Sequence, residues 1–330
     1  MQKSLLVKLV EEYYGAGESD RVYGRLAEEM RLVSHSTWMP MWRCVAALRQ
    51  EFGPENVLVL GSTNDSLLAY LLGATSVNPL PPHYYCNNCH YTTFDCERYE
   101  DGWDLPDADC PLCGGSMKGD GHRLSSRSLA ARLPDISLRV PAEMRKLVAD
   151  YIPDYWQRMG EKGIFTVEPY SDEELTALRL SQPDGQQGII EISTLRDMEP
   201  APEDLPARTT ASHCIKATGL RLAEGAWSRA ERTAIHRDEL DFLDVIAFRE
   251  DVYELIRQHT PPKERAGNGI PWQIMEAVRK GKYAHLGMAE ELERYLSRTL
   301  RLPKYYIGAM KRIQYLPKKG DCLARMTMEG

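Results

Sequence analysis

VNPLPPHYYCNNCHYTTF (Val77–Phe94) and DCPLCGGSMKGDGH (Asp109–His122) are the two stretches that decide how this chain is read. Each holds a C-x2-C pair, Cys86/Cys89 and Cys110/Cys113, and 20 residues separate the pairs. A C-x2-C turn brings two sulfurs to one point, and Zn²⁺ accepts four thiolates in a tetrahedron. Gly114 and Gly115 follow the second pair, where the backbone must turn toward the sulfurs unhindered. The reading is therefore a zinc ribbon with Cys86, Cys89, Cys110 and Cys113 as ligands. Four thiolates leave no open coordination position, so the Zn²⁺ is expected to be structural. His90 and Cys96 are spare donors, and Cys96 reads as an incidental thiol. Eight cysteines in a chain of 330 residues without an export signal point to a metal rather than a disulfide framework.

Outward from the ribbon the pattern changes. Upstream, Leu5–Val33 and Trp38–Phe52 carry helical periodicity, with Trp38/Trp42 spaced for core packing. A short apolar strand, Val57–Leu60, meets Gly61-Ser62, and Asp65–Leu72 is read as a helix. A strand, turn and helix in that order can present backbone N–H groups to a phosphate, and it is also a common way simply to reverse a chain. Downstream lie a strand at Pro134–Val140, a helix over Glu143–Met159 interrupted at Pro153, and a short strand at Gly188–Ile192. Beyond Ala226 helices dominate: Asp241–Gln258, Pro271–Lys280, Glu290–Thr299 and Lys304–Ile313. Glu173/Glu174 and Glu290/Glu291 read as solvated helix faces.

The net charge of −7 argues against a protein that coats nucleic acid over its whole surface. Between Arg257 and Arg325, however, 15 Lys and Arg stand against 6 Asp and Glu. That basic third could meet phosphates, or could be no more than solvated helix faces. No apolar run approaches the roughly 20 residues needed to span a bilayer. The opening MQKSLLVKLVEEYYG reads as an amphipathic helix rather than a leader, so a cytoplasmic protein without a membrane partner is expected.

The residues around the cysteines carry a resemblance. VNPLPPHYYCNNC, GWDLP, CPLCGG, DGH and LPDISL follow one another as in PolC-type bacterial DNA polymerase III alpha subunits. YYGAGESDRVYGRLAEEM upstream is similar to the family's approach to its palm. IMEAVRKGK (Ile274–Lys282) and LPKYYIGAMKRIQYLPK resemble its fingers region, and GIIEIST (Gly188–Thr194) is a weaker match. The resemblance implies an α+β fold: a reduced palm-like part with an inserted four-cysteine ribbon, then a mainly helical fingers-like part. The corresponding divisions are 1–77, 78–122, 123–206 and 207–330.

The departures from the family pattern shape the functional reading. Polymerase chemistry uses two divalent ions held by palm carboxylates, two of them on alternate residues of one strand. Asp135 matches the first, but Ser137 stands in place of the second, and the segment bearing the third is read as missing. Gly61 and Ser62 are the remnant of a phosphate-cradling loop that lacks its arginine. After the fingers helix, Lys318 is kept while the family's histidine is absent. These losses imply a degenerate homologue without polymerase activity, with no catalytic residue beyond the isolated match at Asp135. It would act as a module binding DNA or replication proteins, through Arg279, Lys280, Lys282, Lys311, Arg312, Lys318 and Lys319. No small-molecule cofactor is expected, and Mg²⁺ only if activity survives. One alternative is an active DNA-directed DNA polymerase using Asp135 with Asp65 or Asp150. The other is a protein-binding decoy of the replicase that never touches DNA.

Overall fold

The computed structural model of the chain describes residues 2–15, 19–130, 133–159, 164–168, 175–181, 185–198, 200–265 and 269–329. Glu173 and Glu174 lie outside them. The chain divides into two compact units, Met1–Arg196 with Leu323–Gly330, and Asp197–Cys322.

The first unit opens with α1 (Gln2–Tyr14), α2 (Ser19–Val33) and α3 (Trp38–Phe52). In α3 the residues Trp38, Met41, Trp42, Val45 and Leu48 recur at three- and four-residue spacing and are all fully buried. The Trp38 and Trp42 rings stack at 5.3 Å, and their indole N–H groups donate to Leu129 O and Thr63 Oγ1. The core-packing expectation for this pair is met. Next come β1 (Leu58–Leu60), α4 (Leu67–Leu71) and the ribbon, built from β2 (His83–Cys86), β3 (Thr92–Thr93), β4 (Ala108–Asp109) and β5 (Ser116–Asp120). The unit continues with β6 (Asp135–Val140), α5 (Arg145–Met159), β7 (Ile164–Glu168), β8 (Leu175–Ser181) and β9 (Gln187–Thr194).

Two sheets result, ordered β1-β6-β9-β8-β7 and β3-β2-β5-β4. In the larger one β6 and β9 run parallel, and the other neighbours are antiparallel. Alternation sorts its two faces. Ile136, Leu138, Val140, Leu178, Leu180, Ile190 and Ile192 point into a core shared with α3 and α5. Asp135, Ser137, Arg139 and Glu191 take the opposite face.

The second unit is helical: α6 (Ala211–Leu222), α7 (Arg229–His236), α8 (Arg249–His259), α9 (Ile270–Arg279), α10 (Lys282–Leu286), α11 (Glu290–Arg294) and α12 (Lys304–Arg312). The last helix, α13, covers Lys319–Glu329. The α+β class, with a four-cysteine ribbon and a mainly helical later part, is the one expected from the sequence. Among the described residues, no helix is long and apolar enough to cross a membrane.

Three local expectations change. Pro153 does not interrupt α5. Val148, Ile152, Tyr155 and Trp156 around it are locked into the core, and that packing outweighs the lost N–H. The helix read over Asp241–Gln258 starts only at Arg249. Asp251 Oδ2 accepts the N–H groups of Ala247 and Phe248 and the Lys216 ammonium, which fixes the helix start there. The helix read over Asp65–Leu72 is split by Ser66, whose hydroxyl caps α4 by accepting from Ala69 N–H.

Candidate metal centre and carboxylate face

Two turns of the same construction hold the four sulfurs. Cys86 C=O accepts from His90 N–H, while Cys86 N–H donates to Tyr91 C=O, both at 2.9 Å. Cys110 repeats this with Gly114 at 2.8 Å and Gly115 at 2.7 Å. The residue four places after each first cysteine has positive φ, 59° at His90 and 69° at Gly114. His90 thus serves the turn through its backbone, and it lies outside the ligand cluster. A Cβ at Gly115 would stand 2.4 Å from Nδ2 of Asn88, an exposed side chain that can swing aside.

All four sulfurs lie within 4.8 Å of one another, with Cys86–Cys113 and Cys89–Cys110 at 3.5 Å. A tetrahedron of Zn–S bonds near 2.3 Å has edges of about 3.8 Å, so the donor set fits Zn²⁺. The sulfurs are much farther apart than the ~2.05 Å of a disulfide, and all eight cysteines are free. The Cys89 N–H, opposed by burial and aided by the Asn88 N–H, holds the Cys86 thiol down at about 7. Cys96 is buried outside the cluster, and burial raises its thiol. A zinc ion held here would tie β2 to the β4–β5 hairpin beyond their shared ladder and a small cluster of Cys86, Cys110 and Met117 with half-buried Tyr84 and Tyr91 against it.

The ribbon is moored by buried polar groups. Asp120 accepts from Tyr70 Oη at 3.0 Å and from Asn78 Nδ2 at 2.7 Å, and Asp101 accepts from His122 Nδ1 at 2.9 Å. His122 is fully buried in this role.

On the outward face of the larger sheet, Asp135 and Ser137 share one side of β6, and Glu191 on β9 stands opposite Ser137. The Ser137 hydroxyl donates to Glu191 Oε2 at 3.3 Å. Glu191 is the residue that sequence reading missed. Its signal was the weakly matched GIIEIST run, whose register against β6 only the sheet reveals. The two alternative acids do not join this face. Asp150 is on α5, which packs on the other side of the sheet, and Asp65 is buried and accepts from Ser128 Oγ. Among the described residues, the four cysteines are the only group of three or more potential metal donors. Two carboxylates flanking a hydroxyl do not fit a two-ion polymerase site, which needs bridging carboxylates. Ser137→Asp is expected to destabilise the fold slightly in chelator, by roughly 1 kcal/mol or less of cross-strand repulsion, seen as a small fall in melting temperature. Millimolar Mn²⁺ should restore it, and an unchanged melt with and without Mn²⁺ would show that the three positions do not converge.

Gly61 and Ser62 stand at the turn between β1 and α4. Gly61 has φ of 98°, and α4 begins six residues on. The Leu67 and Leu68 N–H groups at the start of α4 donate to the buried Glu29 carboxylate at 2.9 and 3.0 Å. Among the basic candidates, Arg279 and Lys280 both pair with Glu276, Lys311 with Glu293, and Arg312 with Glu231. Lys318 is buried and Lys319 half-buried, while Lys282 is exposed on α10.

The family model described as the bacterial DNA polymerase III alpha NTPase domain matches residues 2–180. The chain belongs to this family. A DNA polymerase III PolC-type from Thermotoga petrophila is 23% identical over 466 residues, covering 99% of this chain and 33% of the relative. One from Latilactobacillus sakei is 32% identical over 170 residues, covering 49% and 12%. Another, from Mycoplasma pneumoniae, is 38% identical over 111 residues, covering 32% and 7%. The chain thus spans a third or less of the polymerase III relatives it matches and is a divergent member of the family. The alignment to the Thermotoga relative is much longer than the 330 residues here, so the relative carries segments with no counterpart in this chain.

Proposed function

We propose that this polymerase III relative does not add nucleotides and acts as a binding module for replication proteins or nucleic acid. The observation that carries the reading is the neutral Ser137 hydroxyl between Asp135 and Glu191, where two Mg²⁺ ions would need shared negative charge. The occupied α4 amides support it, because the Glu29 carboxylate, itself paired with Arg25, already takes the two N–H groups at the start of that helix. Primer extension with Mg²⁺ or Mn²⁺ tests it: no extension is expected, and extension that Asp135→Ala abolishes would overturn the reading.

The ion pairs at Arg279, Lys280, Lys311 and Arg312 favour a protein partner over bare duplex, since each glutamate offsets a cation that phosphates would need. A salt series on primer–template DNA separates the two. Phosphate contacts would make log affinity fall steeply with log salt, and Lys282→Ala would lessen the slope by about 1. Flat or absent DNA binding, together with capture of a replication protein, is the outcome the ion pairs favour.

A further inference from the structure

From Arg294 to Gly320 the chain carries eight Lys and Arg and no Asp or Glu. Most of these cations are taken up by the fold. Arg294 pairs with Glu291, Lys311 with Glu293 and Arg312 with Glu231, while Lys318 is buried and Lys319 half-buried. Arg298, Arg301 and Lys304 are left over. All three are exposed, and among the described residues neither a hydrogen bond nor an ion pair reaches their side chains.

These three follow one another at three-residue spacing around the turn that joins α11 to α12. Leu296, Leu300 and Leu302, set between and beside them, are buried and pin the turn from inside. Leu300 N–H donates to Tyr295 C=O and Leu302 N–H to Leu296 C=O, both at 3.0 Å. The cations therefore stand on a backbone that is already fixed, which lowers the ordering cost of binding through them. Arg301 takes a φ of 54°, in the left-handed region that favours glycine. A charged side chain kept where glycine would be less strained points to a use for that side chain.

We propose that this turn docks a short acidic segment of a protein partner, which rests on the binding-module reading above and names the partner's chemistry. Three cations with no acid between them attract a carboxylate-rich surface and repel a basic one. The guanidinium forks of Arg298 and Arg301 suit carboxylates as paired acceptors. The surroundings favour a peptide over nucleic acid. Tyr305 Oη donates to Glu239 C=O at 3.2 Å and Tyr306 Oη to Asp244 C=O at 3.3 Å, which brings the exposed Glu239 and Asp244 beside the first turn of α12. A long strand or duplex would carry its regular phosphates across those acids, whereas a short peptide stops at the cations.

Fluorescence anisotropy of the full zinc-loaded chain tests the surface, with labelled octaglutamate, octaglutamine and oligothymidylate as probes at low salt. Saturable binding of octaglutamate is expected, and none of octaglutamine. Reversing the cluster, with Arg298→Glu, Arg301→Glu and Lys304→Glu combined, should weaken that binding about tenfold or more. Arg301→Gly should weaken it about threefold while the melting temperature holds or rises, a separation that a merely structural arginine would not give. This single variant also carries the test if circular dichroism shows that the triple variant does not fold. Absent octaglutamate binding overturns the proposal, as does equal binding by the folded triple variant or by Arg301→Gly. Tighter binding of oligothymidylate that the same substitutions abolish overturns the peptide in favour of nucleic acid. A replication protein captured equally by wild type and the folded triple variant would remove this surface while leaving the binding-module reading standing. That reading fails separately, by primer extension.

Discussion

Cys110→Ser is expected to abolish stoichiometric zinc and unfold the ribbon while leaving the larger core standing. Cys110 is buried, and with Cys86 and Met117, flanked by half-buried Tyr84 and Tyr91, it makes up the small apolar cluster beneath the sulfurs. So small a cluster, even with the polar moorings at Asp101 and Asp120, falls short of the ordering of a stretch running from β2 to β5, at about 1–2 kcal/mol per residue for the backbone alone. The metal must supply the difference, and structural zinc in small domains contributes of the order of 10 kcal/mol of folding free energy. The core around Trp38, Trp42, Ile136 and Ile190 is independent of the sulfurs, so most of the helical circular dichroism should persist. Metal content falling from one zinc per chain to nearly none, with new protease cuts confined to the segment around Cys86–Gly115, is the expected result. A variant that keeps its zinc, or loses it with no new cuts, would show that the sulfurs are not what holds this segment together.

The metal site was legible because its geometry is local. Each knuckle closes within six residues, so C-x2-C spacing and the glycines after Cys113 carry nearly all the information. Even there, the left-handed position after Cys89 is filled by His90, and sequence alone read it as a spare ligand. The carboxylate face was only half legible. Asp135 and Ser137 follow from strand alternation, but Glu191 reaches Ser137 through a parallel pairing of β6 with β9, across α5, β7 and β8. No local periodicity encodes that register.

Glu29→Ala is expected to be the most destabilising single substitution outside the ribbon. The side chain is fully buried and every acceptor position is used. Oε1 takes the Arg25 guanidinium and Leu67 N–H; Oε2 takes Ser66 Oγ and Leu68 N–H. Alanine leaves two amides at the start of α4 and a hydroxyl without acceptors. It also strands Arg25, whose other donors hold Leu124 O and Asp65 O. Breaking a buried pair by removing one partner costs about 3–5 kcal/mol. In a unit of this size each kcal/mol moves the melting temperature by roughly 2–4 °C, so a fall of about 6–20 °C is expected. Glu29→Gln separates charge from shape. It keeps one carbonyl acceptor but turns an NH₂ toward groups that are themselves donors, so it should recover only a minor part of the loss. Arg25→Met combined with Glu29→Ala should be less damaging than the two single losses added together, because the stranded cation is gone. Strict additivity in that cycle, or a Glu29→Ala melt within a degree or so of wild type, would mean that Glu29 does not hold the α2–α4 junction.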